Sequence, residues 1–228
     1  MYKRQVFARA LRLLFPLALQ PGRDPTAKVH PEAQIAEDVY IGPFSYVGKC
    51  SIGQRSKILG HVYIYSGCRI GANVTIHAGC IIGADGFGYE RNETGKWEKF
   101  PHLGGVVIGD NVELHAMVHV ARGTLGDTII GEGTKVDALC HIAHNVVIGK
   151  HCIITAHTEL SGGVRLGDEV WIAPNVCVRE KVRIGSRAVI GMGSVVTKDV
   201  PEGTTVMGTP ARPAEEFKRL LKKLSDNK

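Results

Sequence analysis

From Ile130 to Val196 an aliphatic residue recurs every six positions: Ile130, Val136, Ile142, Ile148, Ile154, Leu160, Leu166, Ile172, Val178, Ile184, Ile190 and Val196. Two residues before each stands a small or β-branched side chain, such as Thr134, Cys140, Val146 or Cys152. The same period runs through Ile52, Ile58, Ile64, Ile70, Ile76 and Ile82, and through Val29, Ile35, Ile41 and Val47. A period of six fits neither an amphipathic helix nor a plainly alternating strand. It fits short strands with two inward side chains each, joined by turns in which glycine relieves backbone strain. Three hexads then close one coil of a triangular prism, and stacked coils form a solenoid. The chain is therefore expected to be an all-β parallel β-helix with one inserted loop and a short C-terminal helix. Residues 1–27 read as an N-terminal extension, 28–212 as the solenoid (inserted loop 84–106) and 213–228 as the helix.

The composition agrees. Aromatic residues make up only 6% of the chain while 28 glycines are present, which suits aliphatic strands and tight turns. The net charge of +6 is modest and scattered, and no zinc-finger, helix-turn-helix or RNA-recognition signature appears, so nucleic acid is not an expected partner. Of the six cysteines, Cys50, Cys68, Cys80, Cys140 and Cys152 occupy the small inward position. They read as core thiols rather than a disulfide framework, which favours a reducing, cytoplasmic compartment. Residues 6–19 are apolar but interrupted by Arg9, Arg12 and Pro16, without a small-residue cleavage site. They read as a short amphipathic helix rather than a secretory signal, and nothing approaches the length of a membrane span.

Breaks in a solenoid are where loops leave and binding concentrates. The first, from about Gly83 to Val107, carries Phe87, Tyr89, Trp97 and Phe100. It reads as a lid over a substrate or as a loop packing on a neighbouring subunit. The second is an insertion of four residues between Val120 and Ile130. Aligning by hexad stacks His119 under His141 and His141 under Glu159, Arg122 under His144, and His115 under Asp137. Five of the ten histidines, His115, His119, His141, His144 and His157, fall within about two coils of one another.

The stretches GADGFGY (83–89), GKWEKFPHLGGVVIGDNVEL (95–114), RGTLGDTIIGEGTKVD (122–137) and HIAHNVVIG (141–149) resemble the UDP-3-O-acylglucosamine N-acyltransferases of lipid A biosynthesis. The resemblance implies left-handed coiling, a homotrimer with active sites between subunits, His144 as general base and Asp137 as a contact to the glucosamine. Gly86, Phe87 and Tyr89 of the aromatic loop, with His141 and Arg122, are the further substrate-binding candidates. Three departures are visible. This chain has no room for the family's separate N-terminal uridine-binding domain, the family's Asp-Arg-Gly reads Ala121-Arg122-Gly123, and the family's second histidine, about two coils on, falls near Arg179 or Glu180. The segment IGMGSVVTKDVPEGTTVMGTPARP (190–213) is similar instead to the end of CoA-dependent hexapeptide acetyltransferases. That resemblance implies donor contacts at Gly191, Gly193, Lys198, Pro210 and Arg212, with Ala173 and Gly162 allowing close approach of a pantetheine.

Acyl transfer to an amine needs a base for the amine proton and donors for the tetrahedral oxyanion. A histidine titrates near neutrality and suits the first role at His144, and the Gly162 N–H suits the second. The expected activity is N-acylation of a nucleotide-linked amino sugar by a thioester, acyl-CoA favoured, without a resident cofactor or metal. One alternative is the lipid A type reaction, in which an acyl carrier protein is the donor. Another class is a zinc enzyme like the γ-type carbonic anhydrases, using His115, His119, His141 and His144.

Overall fold

The computed structural model describes residues 2–15 and 19–226; Pro16, Leu17 and Ala18 of the apolar N-terminal run lie outside the described residues. Helix α1 spans Tyr2–Leu14. From Gly22–Arg23 onward the chain winds into a left-handed parallel β-solenoid of about ten turns. Its three faces hold eleven, nine and eight short strands, called here the first, second and third face. The coil follows the hexads: Ile142, Leu160, Val178 and Val196 pair in succession up the second face. One hexad, between Val47 and Ile52, is a residue short, so Ile35 pairs with Ile52 across seventeen positions, whereas Val29 pairs with Val47 across eighteen.

The core is a set of aliphatic columns. Ile58, Ile64, Ile76, Ile82, Leu114, Ile130, Ile142, Ile154, Leu160 and Ile172 are all fully buried. Each such side chain contributes roughly 1.5–3 kcal/mol relative to exposure. The five inward cysteines are buried free thiols, as their register requires, and Cys177 is exposed. Burial pushes the Cys50, Cys80 and Cys140 thiols up to about 11 and that of Cys68 to about 12, so they remain protonated.

Glycine acts differently from the expectation of strain relief in turns. The left-handed turn position is mostly held by other residues, among them Asn111, Leu139, Asn145, His151, His157 and Lys181, with φ between 54 and 61. Backbone bonds to the adjacent coil hold them there, as when the His151 N–H donates to the Glu132 carbonyl. The glycine after the aliphatic residue instead permits close approach. A Cβ on Gly149 would lie 2.3 Å from the Gly167 carbonyl oxygen.

The inserted loop forms an antiparallel hairpin of Tyr89–Arg91 with Trp97–Lys99. At the far end, Arg212–Pro213 pairs antiparallel with the last coil and leads into helix α2, Ala214–Asp226. Phe217 of α2 packs against Gly208 and covers that coil. No helix among the described residues is long and apolar enough to cross a membrane.

Candidate active site

Where the second face turns into the third, the sequence Ala143-His144-Asn145 forms the corner. Asn145 takes the left-handed conformation with φ of 60, and its N–H donates to Thr128 Oγ1 at 2.9 Å. The Asn145 side chain is then fixed from below. Its Oδ1 accepts from the Thr124 N–H at 3.1 Å and the Thr124 hydroxyl at 2.9 Å, while its Nδ2 donates to the Gly126 carbonyl. With the amide so oriented, Oδ1 is an acceptor for His144 Nδ1, 3.1 Å away. An acceptor at that distance requires the proton on Nδ1, leaving Nε2 with its lone pair.

Nε2 lies beneath Gly162 on the next coil. A Cβ there would sit 2.8 Å from Nε2 and 2.7 Å from Cε1 of His144, so only glycine fits. The Gly162 carbonyl accepts from Lys181, but the Gly162 N–H donates to no acceptor among the described residues. An imidazole nitrogen and an unbonded backbone N–H thus meet on adjacent coils.

They open into a cavity of about 270 Å³ lined by Asp85, Gly86, Phe87, His119, Ala121, His141, Ala143, His144, Glu159, Ser161 and Gly162. One wall is the outward column of the second face: His119 pairs with His141, and His141 with Glu159. The two imidazoles stack with centroids 5.0 Å apart. Burial, and then each imidazole's histidine neighbours, lowers the pKa of both, while Glu159 opposes this at His141. Behind His144 stands His102, 4% exposed, its ring edge-on at 5.1 Å. Neither His102 ring nitrogen has a hydrogen-bond partner among the described residues. Burial, reinforced by the His144 imidazole, pushes its pKa down. The wall histidines His102, His119 and His141 are thereby held neutral at pH 7. The opposite rim carries Asp85, whose carboxyl is held below its usual range chiefly by the hydrogen bond from Lys99.

Gly86, Phe87, His141, His144 and Gly162 thus meet in one cavity, while the other expected site residues stand elsewhere. Tyr89 lies beyond it, lining with Phe87 and Trp97 a second hollow of about 540 Å³. Arg122 is committed to the backbone: its Nε donates to the Gly83 carbonyl and its Nη2 to that of Ser66, both at 2.8 Å. Arg122 therefore anchors the start of the inserted loop. Asp137 is on the corner between the first and second faces, its Oδ1 accepting from the Ala138 N–H at 2.8 Å. By strand register Ala173 and Gly191 stack in the same column as Asp137. Gly193 forms a turn with φ of 66, Lys198 is exposed, Pro210 follows a cis bond, and Arg212 pairs with Glu216. A single chain therefore divides the expected site between two corners. His115 also belongs to the Asp137 corner, so the four histidines considered for zinc do not converge.

Three participants carry no signal in the hexad pattern: Asn145, Thr124 and His102. Asn145 was readable only as the last letter of IAHN. Thr124 sits in the four-residue insertion and His102 in the large loop, where periodicity gives no register.

Residues 49–84, 127–162 and 163–198 match the bacterial transferase hexapeptide family (six repeats). A UDP-3-O-acylglucosamine N-acyltransferase of Coxiella burnetii is 36% identical over an alignment covering 93% of this chain and 68% of that protein. One of Methylobacterium nodulans is 39% identical over 69% of this chain, which spans only 41% of that relative's length. Among solved structures, LpxA of Bacteroides fragilis, a UDP-N-acetylglucosamine acyltransferase, superposes with a TM-score of 0.74 at 33% identity, over 84% of this chain and 73% of that one. LpxA of Acinetobacter baumannii gives 0.75 at 29% identity, over 86% and 76%. Given its identity to the Coxiella protein over two thirds of that protein's length, the chain belongs to the hexapeptide-repeat acyltransferase family that contains the UDP-3-O-acylglucosamine N-acyltransferases.

Proposed function

We propose that this protein transfers an acyl group from a thioester to the amine of a UDP-linked glucosamine, with His144 as the general base. The observation that carries the proposal is the pairing of His144, its Nδ1 fixed on Asn145 Oδ1, with the unbonded N–H of Gly162 beside Nε2. In the reaction the amine nitrogen attacks the thioester carbonyl while Nε2 of His144 removes an amine proton. The carbonyl oxygen becomes an oxyanion and accepts a hydrogen bond from the Gly162 N–H. Collapse breaks the C–S bond, and the thiolate leaves with the proton returned by His144. The products are an amide and a free thiol, with no covalent enzyme intermediate.

Neutral His119 and His141 provide a wall against which a sugar packs, and Asp85 with Lys99 offers polar contacts at the rim. The relatives' names supply the acceptor class: UDP-3-O-acylglucosamine and UDP-N-acetylglucosamine. The second corner enters through a neighbouring copy. Met117, Leu139, Ile153 and Trp171 are 61%, 45%, 40% and 49% exposed on and beside the first face, an apolar surface suited to covering by another subunit. In a closed trimer built on a head-to-tail interface, the Asp137 corner of one copy faces the His144 cavity of the next. Buried free thiols fit a cytoplasmic setting.

The test is an acylation assay on UDP-linked glucosamine acceptors, with acyl-CoA and acyl carrier protein donors in separate arms and the product identified by mass. Amide formation in either arm supports the reading and identifies the donor. No acylation of any UDP-amino sugar in either arm would falsify it.

A further inference from the structure

At the corner between the first and second faces, His77 follows Ile76 and His115 follows Leu114, and these aliphatic residues pair across adjacent coils. The two imidazoles consequently stack, with centroids 4.6 Å apart and planes 12° from parallel. Both turn the same nitrogen toward one oxygen. His77 Nε2 is 3.1 Å and His115 Nε2 is 3.6 Å from Glu113 Oε1. The three potential ligand atoms all lie within 4.8 Å of one another.

From this geometry we infer that His77, Glu113 and His115 form a binding site for a divalent transition-metal ion, zinc by preference. Zinc binds imidazole nitrogen and carboxylate oxygen at about 2.0–2.2 Å in a tetrahedron, which places two such ligands about 3.4 Å apart. The observed 3.1 and 3.6 Å bracket that edge. The stacking brings both Nε2 atoms beside one carboxylate oxygen, and a modest tilt of one ring turns both toward a shared cation. The other carboxylate oxygen, Oε2, is 4.0 Å from Lys135 Nζ, which itself donates to the Asn111 carbonyl at 2.7 Å. Lys135 thereby occupies one side of Glu113 and leaves Oε1 to the metal; Asp137, one coil above His115, is the next acidic group. The side chains of His77, Glu113 and His115 are 29%, 35% and 45% exposed, so an ion reaches them from solvent. Two imidazoles and one carboxylate select zinc, cobalt or nickel over magnesium or calcium. The fourth position is left to water. Because the site joins two coils, the ion also fastens one to the other. Its existence does not depend on the acyltransferase reading, since no residue of the His144 cavity takes part.

The experiment uses tag-free full-length protein stripped with chelator and then exposed to zinc or cobalt chloride. Metal content is measured after gel filtration, and visible absorption reports tetrahedral cobalt. The expectation is about one ion per chain, with a raised Tm, tetrahedral cobalt bands, and binding weakened about 100-fold or more by His77→Ala or His115→Ala. Glu113→Gln keeps the shape and loses the charge, and it too weakens binding; His141→Ala does not. Failure to bind either metal at micromolar concentrations overturns the inference, and so does binding that survives both histidine substitutions.

Discussion

The two corners that flank the second face are built from the same hexads, yet they place their histidines in opposite surroundings. At the His144 corner, the large loop and the four-residue insertion fold over the coil. His102 is buried there, His119 is half-buried and His141 stands on the outward column, and all three are pushed toward the neutral form. At the other corner no inserted segment among the described residues folds over, and His77 and His115 are half-exposed and face the Glu113 carboxylate. The repeat supplies position, and what leaves the repeat supplies chemistry. A loop-covered corner with an unbonded backbone donor suits proton transfer and oxyanion stabilisation, whereas an open corner with a carboxylate suits polar and cationic ligands.

After loss of His144 itself, the largest expected effect comes from crowding the loop-covered corner. In Gly162→Ala the new methyl meets the His144 ring at 2.7 Å, displacing the base and the donor together. Acylation should fall about 10²–10³-fold, as when one oxyanion donor is lost, with circular dichroism unchanged. The next prediction concerns both corners. Asp137→Ala and His144→Ala are each impaired alone, but equimolar co-refolded trimers should recover about one quarter of the wild-type sites, because each site draws its two corners from different copies. Recovery no greater than the sum of the parents would mean that both corners act within one chain. A smaller effect is expected for Asn145→Gly, which keeps the φ of 60 accessible but removes the acceptor that fixes His144 Nδ1. The kcat should drop by at least about tenfold and its pH profile should shift, since a group that sets an imidazole tautomer can be worth considerably more. A merely structural asparagine would leave the pH profile in place.

The smallest effect concerns stability. His102 has a folded-state pKa below its ordinary value of 6.5, so the unfolded chain takes up a proton on acidification before the folded chain does. The stability present above that value is therefore lost as pH falls through 6.5 toward the lowered folded pKa. Thermal melts should show Tm declining from pH 7 to pH 5, with a shallower decline in His102→Gln. Equal slopes would show that burial of His102 does not matter to folding.

Most of the architecture was legible because one rule repeats. The aliphatic columns, the inward cysteines and the stacking of His119 on His141 on Glu159 all follow from counting by six. What remained hidden depends on where the count fails or on groups that periodicity does not place. Arg122 falls under His144 by register, but the Gly83 carbonyl at the start of the inserted loop and the Ser66 carbonyl on the coil before it claim its guanidinium. Asp137 is only seven residues before His144, yet a whole face separates them on the triangular prism. His102 and Thr124 arrive from irregular segments, and their meeting with His144 and Asn145 is a tertiary event. The role of glycine was legible in position but not in cause, since coil-to-coil approach rather than turn strain excludes a side chain at Gly149.

The central claim is that Nε2 of His144 takes the proton of an attacking amine. Its most direct test is the rate of amide formation on a UDP-linked glucosamine acceptor by wild type and by His144→Ala, at saturating donor and across pH. The account predicts a loss of about 10²–10⁴-fold in kcat, together with loss of the pH dependence that the base imposes. A variant that retains the wild-type rate and pH profile would contradict it.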